Sequence, residues 1–333
     1  MACALALLTT GCVSAPASSV PTEGPGSDGP CAVTRRDVPN PAEWRHDVTL
    51  FEPTGTARPW TGGTCDDDRR PVVLLAHGYG GSAAEVYQGL ADHLVGQGFV
   101  VVFPPYDAEF DPEAQYRAVD TGLDAALAAT DREDTTRVGV VGHSFGGGMT
   151  PWLLQRVAER GWGARATWAV LFAPWYALRV GTGPIEVPAR TRVAVVAYDE
   201  DVFVDNRIGI ELVGALAVPA DHKVHVTVRS DRSHDPALVA DHLGPLSFPV
   251  PFLGTLSADH LDRWSADRTV DAVSGCALDG RWCDTDLGDV GRWPDGTAVR
   301  RAVVSSTPSD VGPPALQECE FPLNPRPCPT AGP

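Results

Sequence analysis

The sequence predicts an α/β protein organised around a doubly wound, mostly parallel sheet. Three observations carry that expectation. Short, apolar, β-branched runs such as Pro71–Ala76 and Phe99–Phe103 read as strands buried on both faces. Segments with apolar residues at helical spacing lie between them, at the pitch of repeated βαβ units. Glycine-rich turns, His77–Gly81 and Gly142–Gly148, stand where two of these strands end.

In chain order, residues 13–30 form a low-complexity linker of Ser, Pro and Gly, and Arg45–Phe51 is the first expected strand. After a turn-rich stretch comes the strand Pro71–Ala76, then a helix over 83–97 with Val86, Leu90, Leu94 and Val95 at helical spacing. Phe99–Phe103 is a strand stopped by Pro104 and Pro105. A helix over 114–129 leads to the strand Arg137–Val141, and a helix over 147–159 follows. Ala166–Phe172 and Arg192–Tyr198 are the next strands, with only the short segment 178–189 between them, which speaks against a lid. The pattern continues with a helix over 208–216, the strand Lys223–Val228, and a helix over 259–273 carrying Leu261, Trp264 and Val270. From Cys276 the chain is rich in Pro, Gly and Asp and is expected to pack as irregular structure over the sheet edge. The expected division is a leader and linker over 1–30, a catalytic domain over 31–275, and a stapled extension over 276–333 on the same domain.

A chain of 333 residues can bury one large core, and its 43% hydrophobic and 21% charged content is that of an ordinary globular protein. A formal charge of −17 leaves no basic patch for phosphates, which excludes a nucleic-acid partner and suits an uncharged or cationic substrate. The apolar run Ala2–Leu8 reads as the end of an export signal and is too short to span a bilayer. Leu8-Thr9-Thr10-Gly11-Cys12 resembles a bacterial lipobox, with Cys12 as the lipid anchor, while Ala15-Pro16-Ala17 offers an ordinary signal-peptidase site. Either implies a secreted or cell-envelope protein. Setting aside Cys3 and Cys12 leaves six cysteines, an even set that suggests disulfides in an exported chain. The simplest connectivity is Cys31–Cys65, Cys276–Cys283 and Cys319–Cys328.

Gly142-His143-Ser144-Phe145-Gly146 follows the apolar run 137–141, so Ser144 sits on a sharp strand-to-helix turn. The flanking glycines let strand and helix approach closely, and the arrangement makes Ser144 the candidate nucleophile. The oxyanion donors expected are the backbone N–H of Phe145 and that of Tyr79, in the loop after Pro71–Ala76. The acid must come from the carboxyl end of Arg192–Tyr198, where Asp199, Asp201 and Asp205 all qualify, with Asp201 favoured. The base is expected a few residues past Lys223–Val228. His234 fits that position, His242 is its rival, and His222, His225 and His260 read as ordinary residues.

On these residues the chain resembles the α/β-hydrolase superfamily, in particular its secreted bacterial esterases and lipases, among them cutinase-like polyester hydrolases and dienelactone-hydrolase-like esterases. The similarity spans roughly residues 70–275, and rests on His77-Gly78-Tyr79, Gly142–Gly148 and Ala173-Pro174-Trp175. It implies an α/β-hydrolase fold, Trp175 lining the ester site, and cleavage of small or polymeric carboxylic esters through an acyl-serine, without a cofactor. Phe145 stands where those enzymes usually have methionine, and the histidine loop and Cys-containing tail also differ. The competing readings are an acyltransferase or peptidase on the same scaffold, a non-catalytic exported binding protein, and a metal hydrolase using His234, Asp235 and His242.

Overall fold

The computed structural model describes residues 20–329, apart from residues 68, 108, 251–253, 257–259 and 309–311. The leader run, Cys12 and the Ala15–Ala17 site therefore lie outside the described residues. The runs read as strands do form them: β3 (Arg70–Ala76), β4 (Val100–Phe103), β5 (Glu133–His143), β6 (Ala166–Phe172), β7 (Arg192–Tyr198) and β8 (Lys223–Val228). These six are mutually parallel in the order β4-β3-β5-β6-β7-β8. An antiparallel pair, β1 (Ala32–Asn40) and β2 (Glu43–Thr54), extends the β4 side. The tail segment Val303–Ser305, β11, closes the other edge against β8, and a separate two-stranded ribbon joins Phe248–Val250 (β9) to Gly254–Leu256 (β10).

Successive side chains of a strand point to opposite faces, and β3 divides accordingly. Val72 and Leu74 pack with α2 (Pro112–Ala128), α3 (Phe145–Glu159) and α4 (Asn206–Ala215), through residues such as Val119, Met149 and Leu212. Val73 and Leu75 face α1 (Gln88–Gly96) and α5 (Arg268–Asp279), meeting Leu90, Leu94 and Val270. With helices on both faces, the sheet buries its apolar side chains twice over, and the fold is the doubly wound α/β-hydrolase fold expected.

Three elements depart from expectation for identifiable reasons. β1 presents Arg35, Arg36 and Asp37 to solvent and buries only Val38 and Asn40 at its end, so it carries no apolar run; charge on an edge strand also blocks pairing with other chains. Helix α5 runs past Val273 to Asp279, ending at Gly280 in the left-handed region (φ 78°), after a π-helical segment over Asp262–Asp267. The tail is irregular over most of its length, yet it adds β11 and also crosses to the carboxyl ends of the strands. The three disulfides Cys31–Cys65, Cys276–Cys283 and Cys319–Cys328 are formed. No helix among the described residues is long and apolar enough to cross a membrane.

Candidate active site

The chain turns from β5 into α3 at Ser144, whose backbone lies at φ 54°, ψ −118°. A non-glycine residue at positive φ is strained, and three neighbours hold it there. Its N–H donates to the Phe172 carbonyl (2.9 Å), and its own carbonyl accepts from Trp175 (2.8 Å) and Gly148 (3.0 Å). The glycines matter through the space they leave. A Cβ on Gly146 would stand 2.2 Å from the Ala76 carbonyl oxygen, and one on Gly142 would stand 2.3 Å from that of Gly146. Helix α3 can approach the sheet only because neither is present.

The structure brings Ser144, His242 and Asp201 into one line. His242 Nε2 lies 3.0 Å from Ser144 Oγ, and its Nδ1 lies 2.8 Å from Asp201 Oδ2. The Asp201 side chain is buried, and its other oxygen accepts from the N–H groups of Phe203 (2.8 Å) and Val204 (2.9 Å). Nδ1 donates to the carboxylate, and Nε2 is the ring nitrogen that faces the serine. The other two acids do different work. Asp199 accepts from the Ser230 N–H and hydroxyl, while Asp205 caps α4 and accepts from the Cys319 N–H.

His234, the base expected from the sequence, does not reach Ser144. Beyond β8 the chain makes an excursion over 229–239, closed by paired hydrogen bonds between Asp231 and Leu238. Asp231 is gripped from the tail by Trp293 Nε1 (3.0 Å) and the Arg300 N–H (2.8 Å). At the tip, the His234 ring stacks on Trp293 at 4.3 Å and its Nε2 lies 3.2 Å from Asp295. The chain returns only afterwards: the Glu200 N–H donates to the Ala240 carbonyl, and Gly244 passes so close to the Tyr198 ring that a Cβ would stand 2.8 Å from it. His242 is thereby set over the elbow. Among the described residues, no group of three or more His, Cys, Asp or Glu side chains is placed to hold a metal ion.

A buried polar chain missed by sequence reasoning ties the surrounding loops together. The Gly78 N–H donates to the Tyr87 hydroxyl (2.7 Å), which lies 2.8 Å from His143 Nδ1; His143 Nε2 donates to the His242 carbonyl (2.9 Å). Burial, and then the neighbouring His242, hold the His143 imidazole well below the ordinary histidine range, so it stays neutral and its tautomer is set by these partners. His77 is likewise neutral, pushed down to about 3 by burial, and accepts from the Tyr106 N–H at 3.0 Å. Motif reading attends to the glycines of His77–Gly81 and Gly142–Gly148; the signal left unused was the histidine in each.

Tyr79 and Phe145 flank the serine. Tyr79 follows the anchored Gly78, and α3 begins at Phe145, where the N–H groups of a helix's first turn have no carbonyl partner within it. Together with Trp175, Phe110 and Phe203, they line a cleft of about 620 Å³ that opens over Ser144 and His242. The Trp175 ring stacks on Phe145 at 5.3 Å, and its Nε1 donates to Gln317 of the tail (3.3 Å).

A serine on a strained elbow, a histidine bonded to it and a buried carboxylate behind the ring thus stand together at the carboxyl edge of this doubly wound α/β sheet. Among proteins of known name, the chain is similar to Cutinase 2 of Thermobifida cellulosilytica, 31% identical over 123 residues, which are 35% of this chain and 44% of that protein. Cutinase cut1 of Thermobifida fusca and the Cutinase of Thermobifida fusca strain YX are also 31% identical over 123 residues, 36% of their lengths. The chain thus spans less than half the length of each of these relatives. No protein-family model matches it.

Proposed function

We propose that the protein is a serine hydrolase that cleaves carboxylic esters through an acyl-serine intermediate. The observation that carries this reading is the unbroken line Ser144 Oγ–His242–Asp201 at 3.0 and 2.8 Å, at the floor of an apolar cleft. As Ser144 Oγ attacks the ester carbonyl, its proton passes to His242 Nε2, and Asp201 stabilises the imidazolium that forms. The carbonyl oxygen takes up the negative charge and is met by the N–H groups of Tyr79 and Phe145, an effect worth about 3 kcal/mol per donor in such sites. Collapse breaks the bond to the leaving alcohol, which receives the proton from His242. Water activated by the same nitrogen then attacks the acyl-serine, releasing the acid and restoring the serine. No step calls for a cofactor.

The cleft walls suit esters whose acyl or alcohol part is apolar, whether small molecules or segments of a polymer, and the similarity to proteins named cutinases supports ester cleavage. The sequence signs of export and the three disulfides support action outside the cytoplasm, with Cys12 as a candidate lipid anchor. Ser144→Ala is expected to abolish hydrolysis of short p-nitrophenyl esters, a loss of at least about 10³-fold, and covalent labelling by a fluorophosphonate, with an unchanged circular-dichroism spectrum. Turnover or labelling retained by the folded variant would exclude this reading.

A further inference from the structure

We infer that the disulfide-closed tail loop, residues 316–328, is the specificity-determining wall of the cleft and selects esters with an extended apolar group; this rests on the ester-hydrolase reading above. Several observations converge on it. The tail runs beside the loop that carries Asp201: the Leu316 and Gln317 N–H groups donate to the carbonyls of Val202 and Phe203, both at 2.9 Å. The Asp205 N–H returns a bond to the Gln317 carbonyl (3.1 Å), and the Asp205 side chain receives the Cys319 N–H (3.1 Å). The far end is held as firmly. Arg326, buried, donates to Glu211 of α4 at 2.7 and 2.8 Å and to the Gly183 carbonyl at 2.9 Å. Cys319–Cys328 closes the loop between these anchors. Segments so tied at both ends do not behave as opening lids.

Apart from Gln317, what the loop presents to the cleft is apolar. Phe321 and Leu323 line it while remaining 49% and 37% exposed, so apolar surface stands ready for a ligand beside the proposed nucleophile. A row of stacked rings leads there from the elbow, from Phe145 to Trp175 (5.3 Å), Tyr176 (4.4 Å) and Phe321 (6.5 Å). Gln317 holds the indole of that row through Trp175 Nε1, and the Tyr176 hydroxyl donates to the Glu318 carbonyl. A short ester group would end within the part of the cleft built by the sheet loops. A longer one gains contacts only where the tail supplies them, and one methylene in an apolar site changes the rate by about 10- to 200-fold.

The test is the ratio of kcat/KM for p-nitrophenyl octanoate to that for p-nitrophenyl acetate. It is measured on the full chain, on Phe321→Ala/Leu323→Ala, and on Cys319→Ser/Cys328→Ser, which opens the disulfide while leaving Phe321 and Leu323 in place. The expected result is a fall of about tenfold or more in the ratio for the first variant and a smaller fall for the second. A ratio within about twofold of the parent in both variants overturns the inference, as does an equal loss for both esters, which would mark a merely structural role. A parent chain that hydrolyses neither ester overturns the ester-hydrolase reading itself, a different outcome from an unchanged ratio.

Discussion

At the scale of single residues, the site depends on which histidine the chain delivers to Ser144. His242 and His234 are eight positions apart, and both follow β8, yet only His242 lies within hydrogen-bond distance of the serine. His242→Ala is expected to lower kcat for a p-nitrophenyl ester by at least about 10³-fold, because the proposed proton acceptor is lost while the proposed oxyanion donors remain. His234→Ala is expected to leave kcat within about threefold of the parent, and to cost about 1 kcal/mol of stability through the lost stacking on Trp293. The reverse pattern in steady-state kinetics would move the base to His234. The candidate nucleophile and the candidate acid were legible because each depends on residues beside it in sequence. Ser144 is marked by its glycines, and Asp201 stands next to β7 and accepts N–H groups two and three positions ahead. The histidine has no such local mark.

At the scale of elements, the decisive contact is the docking of α3 onto the end of β3. The Gly146 N–H donates to the His77 carbonyl at 3.0 Å, so the helix start and the Tyr79 loop are joined directly. Gly146→Ala would push a methyl group into the Ala76 and His77 carbonyl oxygens, at 2.2 and 2.5 Å, where backbone and not a flexible side chain must yield. The expected outcome is a loss of about 3 kcal/mol or more in chemical denaturation, together with ester activity reduced well beyond the loss of folded protein, since the two proposed oxyanion donors move apart. Unaltered stability and activity would show that the helix start is not so confined. The parallel strands and their helices were legible because periodicity of two or of 3.6 is written over a few consecutive residues. β1 and β11 were not, because a charged edge strand such as β1 and a three-residue one such as β11 are recognisable only by the partners they pair with.

At the scale of the whole molecule, an ionic cluster away from the cleft joins the N-terminal segment, α1 and α5. His93, fully buried, has Nε2 3.1 Å from Asp271 and Nδ1 3.6 Å from Asp267. The Gly26 N–H donates to Asp271 at 2.8 Å, and Gln97 donates to the Ser27 carbonyl at 2.6 Å, so the segment before β1 is held by the same group. Burial alone would push the imidazole down, but the two carboxylates outweigh it and hold it at about 9. Burial also lifts the Asp267 carboxyl to about 6 against its two cationic neighbours, so that titration falls below the window of His93. A histidine raised in the folded state contributes stability that is complete below its unfolded value near 6.5 and is lost as pH rises through about 9. Denaturation free energy should therefore fall by about 1–3 kcal/mol between pH 7 and 9.5. His93→Gln, which cannot take the charge, should be less stable at pH 7 and lose this slope. An identical slope in the variant would assign the pH dependence elsewhere.

By itself, the sequence determined the sheet, its flanking helices and the elbow that carries Ser144. Each of these follows from periodicity or turn chemistry, which act over a few residues and need no distant partner. Only the tertiary structure decided which histidine faces the serine and what walls the cleft. The excursion that removes His234 is gripped by Trp293 and Arg300, bonded to Asp231 across 62 and 69 residues of chain. Gln317 reaches Trp175 across 142. Contacts at that range are set by how the finished elements pack, and no local pattern of residues announces them.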